Sequence, residues 1–335
     1  MRALPEDVET SALLDALAEG WGFSAVSAEY AAVGAGSYHW VVIDAEGTRG
    51  FVTVDDLDQK GWLGNTREAT FAGLTRCLDT ALALRDSGRG FVVAPMPTSR
   101  GETVRRLGAR HTIALFPFVD GEAGRYGDYS ATDRAAVIAL LAELHAATPA
   151  AASVARSVGL EISGRDQLES GLRELDQTWL GGPFSEPARA ALALHASVVA
   201  GLLAFADRLA AEGGSRGGRW VVTHGEPHAA NVMRTSEGCL LVDWDTVALA
   251  PPERDLWMVV REGTDDAAAY TEMTGHPLDE AALSFFRLTW DLNDLAERVN
   301  QLRTPHQDTE DTAGAYDWLA TCSSLHDHAA ALLES

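Results

Sequence analysis

The sequence predicts an α+β protein in two lobes, a β-rich one over residues 1–119 and a helical one over residues 120–335. Three observations predict it. Short runs of Val, Ile, Leu and Phe bounded by Gly and Pro crowd the first third. Apolar residues at helical spacing fill most of the remainder. One strand, residues 111–119, joins the two parts, with a hinge at 114–121. With 335 residues, 46% of them hydrophobic and 22% charged, the chain can bury a core of this size, and the cleft of such a plan is the natural ligand site.

In order along the chain, residues 6–20 carry Val8, Leu13, Leu14 and Leu17 at helical spacing and predict an amphipathic helix. Residues 38–43 and 50–54 read as two strands joined by a turn at 44–48. A helix over 66–85 and further strands over 90–95 and 111–119 complete the first lobe. Beyond Asp120-Gly121, residues 132–147 place Val137, Leu140, Leu141 and Leu144 on one helical face behind the cap-like Ser130-Ala131-Thr132-Asp133. Leu194, Val198, Leu202, Phe205 and Leu209 form a second stripe. Strands at 220–223 and 240–242 bracket a loop, and the chain from Asp255 onward reads as helical.

Charge bounds the partners. A formal net charge of −23, with Lys60 the only lysine, repels nucleic acid and anionic lipid and attracts cations, so a small cationic substrate is expected and neither nucleic acid nor membrane is. Genomic base composition or salt adaptation produces the same acidic, arginine-rich balance, and composition does not choose between these sources. The opening MRALPEDVET has acidic residues where an export signal has basic ones, which predicts a cytoplasmic protein. The uncharged run 190–206 is shorter than the roughly 20 apolar residues that span a bilayer and is expected to be a buried core helix. Cys77, Cys239 and Cys322 lack disulfide or zinc spacing and are expected to be core thiols.

The chemistry lies in residues 223–255, THGEPHAANVMRTSEGCLLVDWDTVALAPPERD. Glu226, Asn231 and Asp243 stand around a short loop and the strand after it. They are the hard oxygen donors that phosphoryl transfer needs around Mg²⁺ and an acceptor hydroxyl. Such transfer asks the protein mainly for positioning and for neutralisation of phosphate charge. Glu226 would orient the hydroxyl or take its proton, while Asn231 and Asp243 would hold the metal.

These residues carry a resemblance. His224-Gly225-Glu226-Pro227-His228-Ala229-Ala230-Asn231 resembles the H-G-D-x-x-x-x-N catalytic loop of the aminoglycoside phosphotransferases, which share the protein-kinase fold. Leu241-Val242-Asp243-Trp244-Asp245 resembles the metal-binding strand end of that family. Pro252-Glu253-Arg254-Asp255-Leu256 resembles its P-x-x-x-D-L segment, whose Asp braces the loop. Leu141-Ala142-Glu143-Leu144-His145 with Pro149 resembles its L-x-x-L-H…P helix end. The resemblance implies a protein-kinase-like α+β fold, with a small β-rich N-lobe and a larger helical C-lobe. It makes His224 a brace, His228 a phosphate contact or a satisfied loop histidine, and Asp245 a second metal ligand or a turn cap. Gly34-Ala35-Gly36-Ser37 would be the nucleotide loop, with Gly34, Gly36 and Ser37 beside the phosphates. The Phe116 carbonyl and Phe118 amide would read the purine edge, because Pro117 has no N–H. Trp290, Asp291 and Asp294 would lie on the substrate side; a surface pair of Asp294 with Arg298 and a core Trp290 are the alternative.

Two departures stand out. Glu226 replaces the family's Asp, and Thr53 stands where its phosphate-binding lysine is expected. A hydroxyl does not replace a cation on phosphates. Lys60 would have to reach back, with Arg49 and Arg67 as rivals and Glu68 as the helix carboxylate that pairs with it; an exposed loop lysine is the alternative. The resemblance therefore implies a Mg²⁺-dependent O-phosphotransferase using ATP or GTP. The acceptor would be a hydroxyl of an antibiotic, of aminoglycoside, aminocyclitol or nucleoside type, conferring resistance, and the protein a monomer or homodimer. The alternatives are a catalytically silent kinase-like binding module and a nucleotidyl transferase.

Overall fold

The computed structural model describes residues 1–321, except 2, 6, 35, 128 and 215–218; Cys322 lies outside them. In chain order the elements begin with helix α1 (Thr10–Trp21), strands β1 (Ala25–Ala31), β2 (Ser37–Asp44) and β3 (Arg49–Asp56), and helix α2 (Arg67–Asp86). Strands β4 (Arg105–Leu107), β5 (His111–Pro117) and β6 (Glu122–Ala123) lead to helices α3 (Ala131–Ala146), α4 (Thr148–Ala151), α5 (Arg165–Arg173) and α6 (Ser185–Gly214). Then come β7 (Val221–Thr223), a 3₁₀ turn at Ala229–Asn231, β8 (Val232–Thr235), β9 (Gly238–Leu241) and β10 (Ala248–Ala250). Helices α7 (Glu253–Leu256), α8 (Asp266–Thr274), α9 (Glu280–Arg303) and α10 (Glu310–Thr321) end the described chain. The fold is α+β, a β-sheet lobe with a helical lobe. Its residues cluster into two compact units, one of 3–159 with 219–278 and one of 160–214 with 279–321 among the described residues.

In the first unit, β1 to β5 form an antiparallel sheet in the order β1-β2-β3-β5-β4. Alternation along each strand splits its faces. Tyr38, Trp40 and Val42 of β2, Val52 and Val54 of β3, and Ile113 and Leu115 of β5 pack on Leu13 and Leu17 of α1. Each fully buried Val or Leu of this core contributes roughly 1.5–3 kcal/mol. The other face therefore carries Ser37 and His39, Thr53 and Asp55, and Thr112, Ala114 and Phe116, with Thr53 in register between His39 and Ala114. That polar face fronts the candidate site.

Capping sets the helix starts. Thr66 accepts from Ala69 N–H at 3.2 Å ahead of α2, and Ser130 from Asp133 N–H at 3.2 Å ahead of α3. In the turn after β2, the Asp44 carboxylate accepts from Thr48 N–H at 2.7 Å.

Several expectations need correction. Residues 90–95 form no strand of their own. Val92 makes one parallel bridge to Leu241, and Pro95 and Pro97 have no N–H with which to extend it. The strands at 220–223 and 240–242 do not pair with each other: β7 joins β10, and β9 joins β8. β1, an edge strand of mixed Ala, Ser and Glu, carries little signal of its own. Beyond Asp255 the helices are interrupted, and α8 closes at Gly275 ahead of Pro277. In the second unit α6 packs on α9, and Leu192, Val199, Leu202, Ala206 and Leu209 of α6 are buried, while Leu194 is 82% exposed. The expected core helix is thus buried on one face only. At 30 residues it is the one described helix long and apolar enough, by length and composition alone, to cross a membrane. Cys77 is buried and its thiol is pushed up to about 12 by burial, whereas Cys239 is half-buried.

Candidate active site

The site is built within the first unit, and its loop is held from behind. Asp255, at 0% exposure on α7, accepts from the backbone N–H of His224 at 2.9 Å and of Gly225 at 2.6 Å. It also accepts from His145 Nε2–H at 3.1 Å, and Tyr270 O–H donates to His145 Nδ1 at 2.8 Å. Burial opposes the charge on Asp255, but the His145 hydrogen bond and the surrounding positive groups outweigh it and hold the carboxyl below its ordinary range. His224 is a brace. Its Nε2–H donates to the Val242 carbonyl at 2.8 Å and its Nδ1 accepts from Glu226 N–H at 3.3 Å, the bonding of a neutral imidazole. Burial, its largest influence, lowers its pKa accordingly. Gly225 takes φ +101°, and a Cβ there would lie 2.5 Å from both terminal nitrogens of Arg254. Arg254 donates to Thr223 Oγ1 and to the Thr246 carbonyl, both at 2.9 Å. From the other side Tyr129 O–H donates to the Pro227 carbonyl at 2.6 Å.

Held in this way, the loop brings the predicted oxygen donors together. Asn231 Nδ2 donates to the Glu226 carbonyl at 3.0 Å and lies 3.4 Å from His228 Nε2, which commits the amide nitrogen to the loop. Val242 N–H donates to the Asn231 carbonyl at 3.1 Å and ties the strand end to the loop. Asp243 follows at φ +66°, alone in the left-handed region among the described non-glycine residues. Such a conformation costs about 1–3 kcal/mol and needs its surroundings to hold it. Crowding by the surrounding protein, then Asp245 and Asp243, push the half-buried Glu226 up to about 8; the same crowding and then Asp245 raise Asp243 above the usual carboxylate range, although its side chain is open to solvent. The carboxylates therefore sense one another, and negative charge is in excess.

Lys60 answers part of that excess. Its ammonium, 1% exposed, lies 2.5 Å from Asp245 Oδ2, 3.0 Å from Asp55 Oδ1 and 3.1 Å from Ser37 Oγ. The exposed-lysine alternative is thereby overturned. Burial disfavours its charge, but Asp245, Asp55 and Asp243 together hold its pKa above the usual lysine value. Glu68 is not its partner: it is exposed, 3.7 Å from Arg106. The rivals are engaged elsewhere, Arg49 with Asp120 at 2.5 Å and over the Phe118 ring, and Arg67 with Asp58 at 2.6 Å. Gly34 and Gly36 both have left-handed φ ahead of Ser37, which opens β2. Phe116 lies in β5 opposite Phe51, and Phe118 follows the strand.

Hard oxygen donors beside excess carboxylate charge suit a divalent cation such as Mg²⁺. Among the described residues no three His, Cys, Asp or Glu side chains form a metal-binding group, and the candidate set instead joins the Asn231 amide to Asp243 and Asp245. Trp290, Asp291 and Asp294 lie half-buried on α9, in the second unit. There Asp294 pairs with Arg298 at 3.2 Å, and Arg298 covers the Trp318 ring at 4.3 Å.

Asp55, Arg254, Tyr129 and Tyr270 escape the sequence reading. Asp55 had a usable signal, since period-two alternation puts it on the face of Thr53. Tyr129 and Tyr270 have none, because their partners lie 98 and 125 residues away.

A family model described as phosphotransferase enzyme family matches residues 65–286. Protein StrN of Streptomyces griseus is 31% identical over 245 residues, covering 70% of this chain and 72% of that protein. Among solved structures, spectinomycin phosphotransferase APH(9)-Ia in complex with ADP and spectinomycin superposes with a TM-score of 0.71 at 17% identity, covering 98% of this chain and 100% of that one. A microcompartment-associated aminopropanol kinase gives 0.59 at 15% identity over 97% and 98%, and the amicoumacin kinase hAmiN 0.57 at 14% over 95% of each. At such identities these likenesses concern the fold.

Proposed function

The chain belongs to the phosphotransferase enzyme family, and from that premise we propose that it moves the γ-phosphoryl group of ATP or GTP to a hydroxyl of a cationic antibiotic of aminocyclitol or aminoglycoside type. The observation that carries this is the meeting of Glu226, Asn231, Asp243, Asp245 and Lys60 behind a braced loop. The acidic balance of the chain, −23, suits a cationic acceptor, and the likeness to a spectinomycin phosphotransferase points the same way.

In the proposed reaction the acceptor oxygen attacks the γ-phosphorus as the bond to the β–γ bridging oxygen breaks, and the nucleoside diphosphate leaves. Glu226 orients the hydroxyl and takes its proton; burial and the neighbouring carboxylates raise its basicity to suit. Asn231, Asp243 and Asp245 would hold Mg²⁺, which when bound neutralises phosphate charge. Gly34, Gly36 and Ser37 would approach the phosphates, with His228 beside Asn231. Phe116 and Phe118 would supply main-chain groups to the purine.

The test incubates the protein with Mg²⁺, ATP or GTP and a panel of aminocyclitol, aminoglycoside and nucleoside antibiotics, and weighs the products by mass spectrometry. One added phosphoryl group, lost in Asp243→Ala and lowered roughly 10²–10⁴-fold in Glu226→Ala, supports the reading. An added nucleotidyl mass, or nucleotide binding without turnover across the panel, contradicts it.

A further inference from the structure

We propose that Lys60 is the cation that binds the nucleotide phosphates, and that Asp55 on β3 is the residue that positions it. This rests on the phosphotransferase reading above. It places the phosphate-binding charge outside β3 and its supporting carboxylate on the sheet.

The loop after β3 is fixed so that Lys60 points inward. Leu57 and Leu63 are buried on either side of it, and Leu57 N–H donates to the Arg110 carbonyl at 3.0 Å. The Asp56 carboxylate holds Arg110 at 2.5 Å and accepts from Asp58 N–H at 3.0 Å. An ammonium buried without partners would cost several kcal/mol. Lys60 has three N–H donors and three acceptors, from Asp55, Asp245 and Ser37.

Two of those acceptors belong to the sheet and support each other. Ser37 O–H donates to Asp55 Oδ1 at 2.6 Å, and Thr112 O–H to Asp55 Oδ2 at 3.4 Å. Asp55 is 3% exposed, so its position is set by packing as well as by these bonds. Ser37 closes the loop that begins at Gly34, and Asp55 lies two residues beyond Thr53 on the same face. The third acceptor, Asp245, comes from the segment that carries Asp243. It is the acceptor whose place on Lys60 a phosphate oxygen would take, leaving the Asp245 carboxylate free to help hold a divalent cation. Asp55 and Ser37 keep the ammonium aimed through that exchange. Glu68 of α2, 3.7 Å from Arg106, is not among the partners of the ammonium.

Lys60 is the only lysine, so the wild-type chain labelled with ¹⁵N-lysine gives a single side-chain ammonium signal. Titration with Mg²⁺ and a non-hydrolysable ATP analogue is expected to move that signal, whereas adenosine leaves it in place. Calorimetry then compares the two ligands in variants. Lys60→Met should weaken the triphosphate analogue about 10- to 100-fold, the worth of a charge-assisted hydrogen bond, and leave adenosine unchanged. Asp55→Asn should weaken the analogue less, with Asp55→Glu recovering part of the loss. Thr53→Lys combined with Lys60→Met should regain affinity, because the new ammonium rises from the same face.

Four results overturn the assignment: an ammonium signal that ignores the bound triphosphate; Lys60→Met binding both ligands as the wild type does; that variant losing both alike; or Asp55→Asn binding the analogue as the wild type does. A wild-type chain that binds triphosphate no better than adenosine fails the parent reading instead.

Discussion

Asp255→Asn removes the brace behind the loop while leaving its size unchanged. In the wild type both oxygens accept, from His224 N–H at 2.9 Å and Gly225 N–H at 2.6 Å, and His145 Nε2–H reaches Oδ2 at 3.1 Å. Asparagine offers one acceptor and sets an NH₂ group against a backbone donor. The residue is fully buried, so water does not compensate, and loss of a buried charge with its bonds costs about 3–5 kcal/mol. Unfolding of a chain with two units need not be a single transition, so amide hydrogen exchange of residues 223–226 is the better assay. Exchange there should accelerate roughly 10²–10⁴-fold, with turnover falling as the loop loosens. Since Asp255 is held below its ordinary pKa, its stabilisation is present above the unfolded carboxylate value and is lost as pH falls through the lower folded one. Protection within about threefold of wild type would refute the brace.

Two further predictions rest on single residues. Burial lowers His39 from 6.5 to about 4 despite Asp55 nearby, so the fold holds it neutral. Its contribution, up to ~3 kcal/mol, is present above pH 6.5 and is lost as pH falls toward 4. Denaturant midpoints of His39→Gln should fall less over that window than those of the wild type, and an unchanged slope would count against burial as the cause. Gly225→Ala forces a side chain into the left-handed region and against Arg254, 2.5 Å away. It should cost at least about 1–3 kcal/mol and release the Arg254 bonds, which a denaturation curve within 0.5 kcal/mol of wild type (roughly the spread of neutral substitutions) would contradict.

The elements most legible in the sequence were those with strong local period. The core stripe of α1, the alternation of β2 and β3 and the capped start of α3 follow from spacing alone. Residues 90–95 looked like a strand because Val92 and Val93 are β-formers, yet pairing depends on a partner far along the chain, and only Leu241 supplies one. The stripe through Leu194 failed for another reason: in an Ala-rich helix small residues lie on every side, so the contact with α9, rather than the pattern, selects the buried face. At the site, Glu226, Asn231 and Asp243 were readable because one short segment holds them all. Lys60 was visible as the only lysine, but its three partners lie on β2, β3 and the segment after β9. Nothing local announces such a meeting, although alternation along β3 does place Asp55 on the face of Thr53.

In the proposed function Asn231 and Asp243 would grip one divalent cation beside a triphosphate. The most direct measurement is a Mn²⁺ titration followed by electron paramagnetic resonance, with a non-hydrolysable ATP analogue present. One ion should bind the wild type, with affinity at least about tenfold weaker in both Asn231→Ala and Asp243→Ala. Equal Mn²⁺ affinity in all three proteins would contradict it.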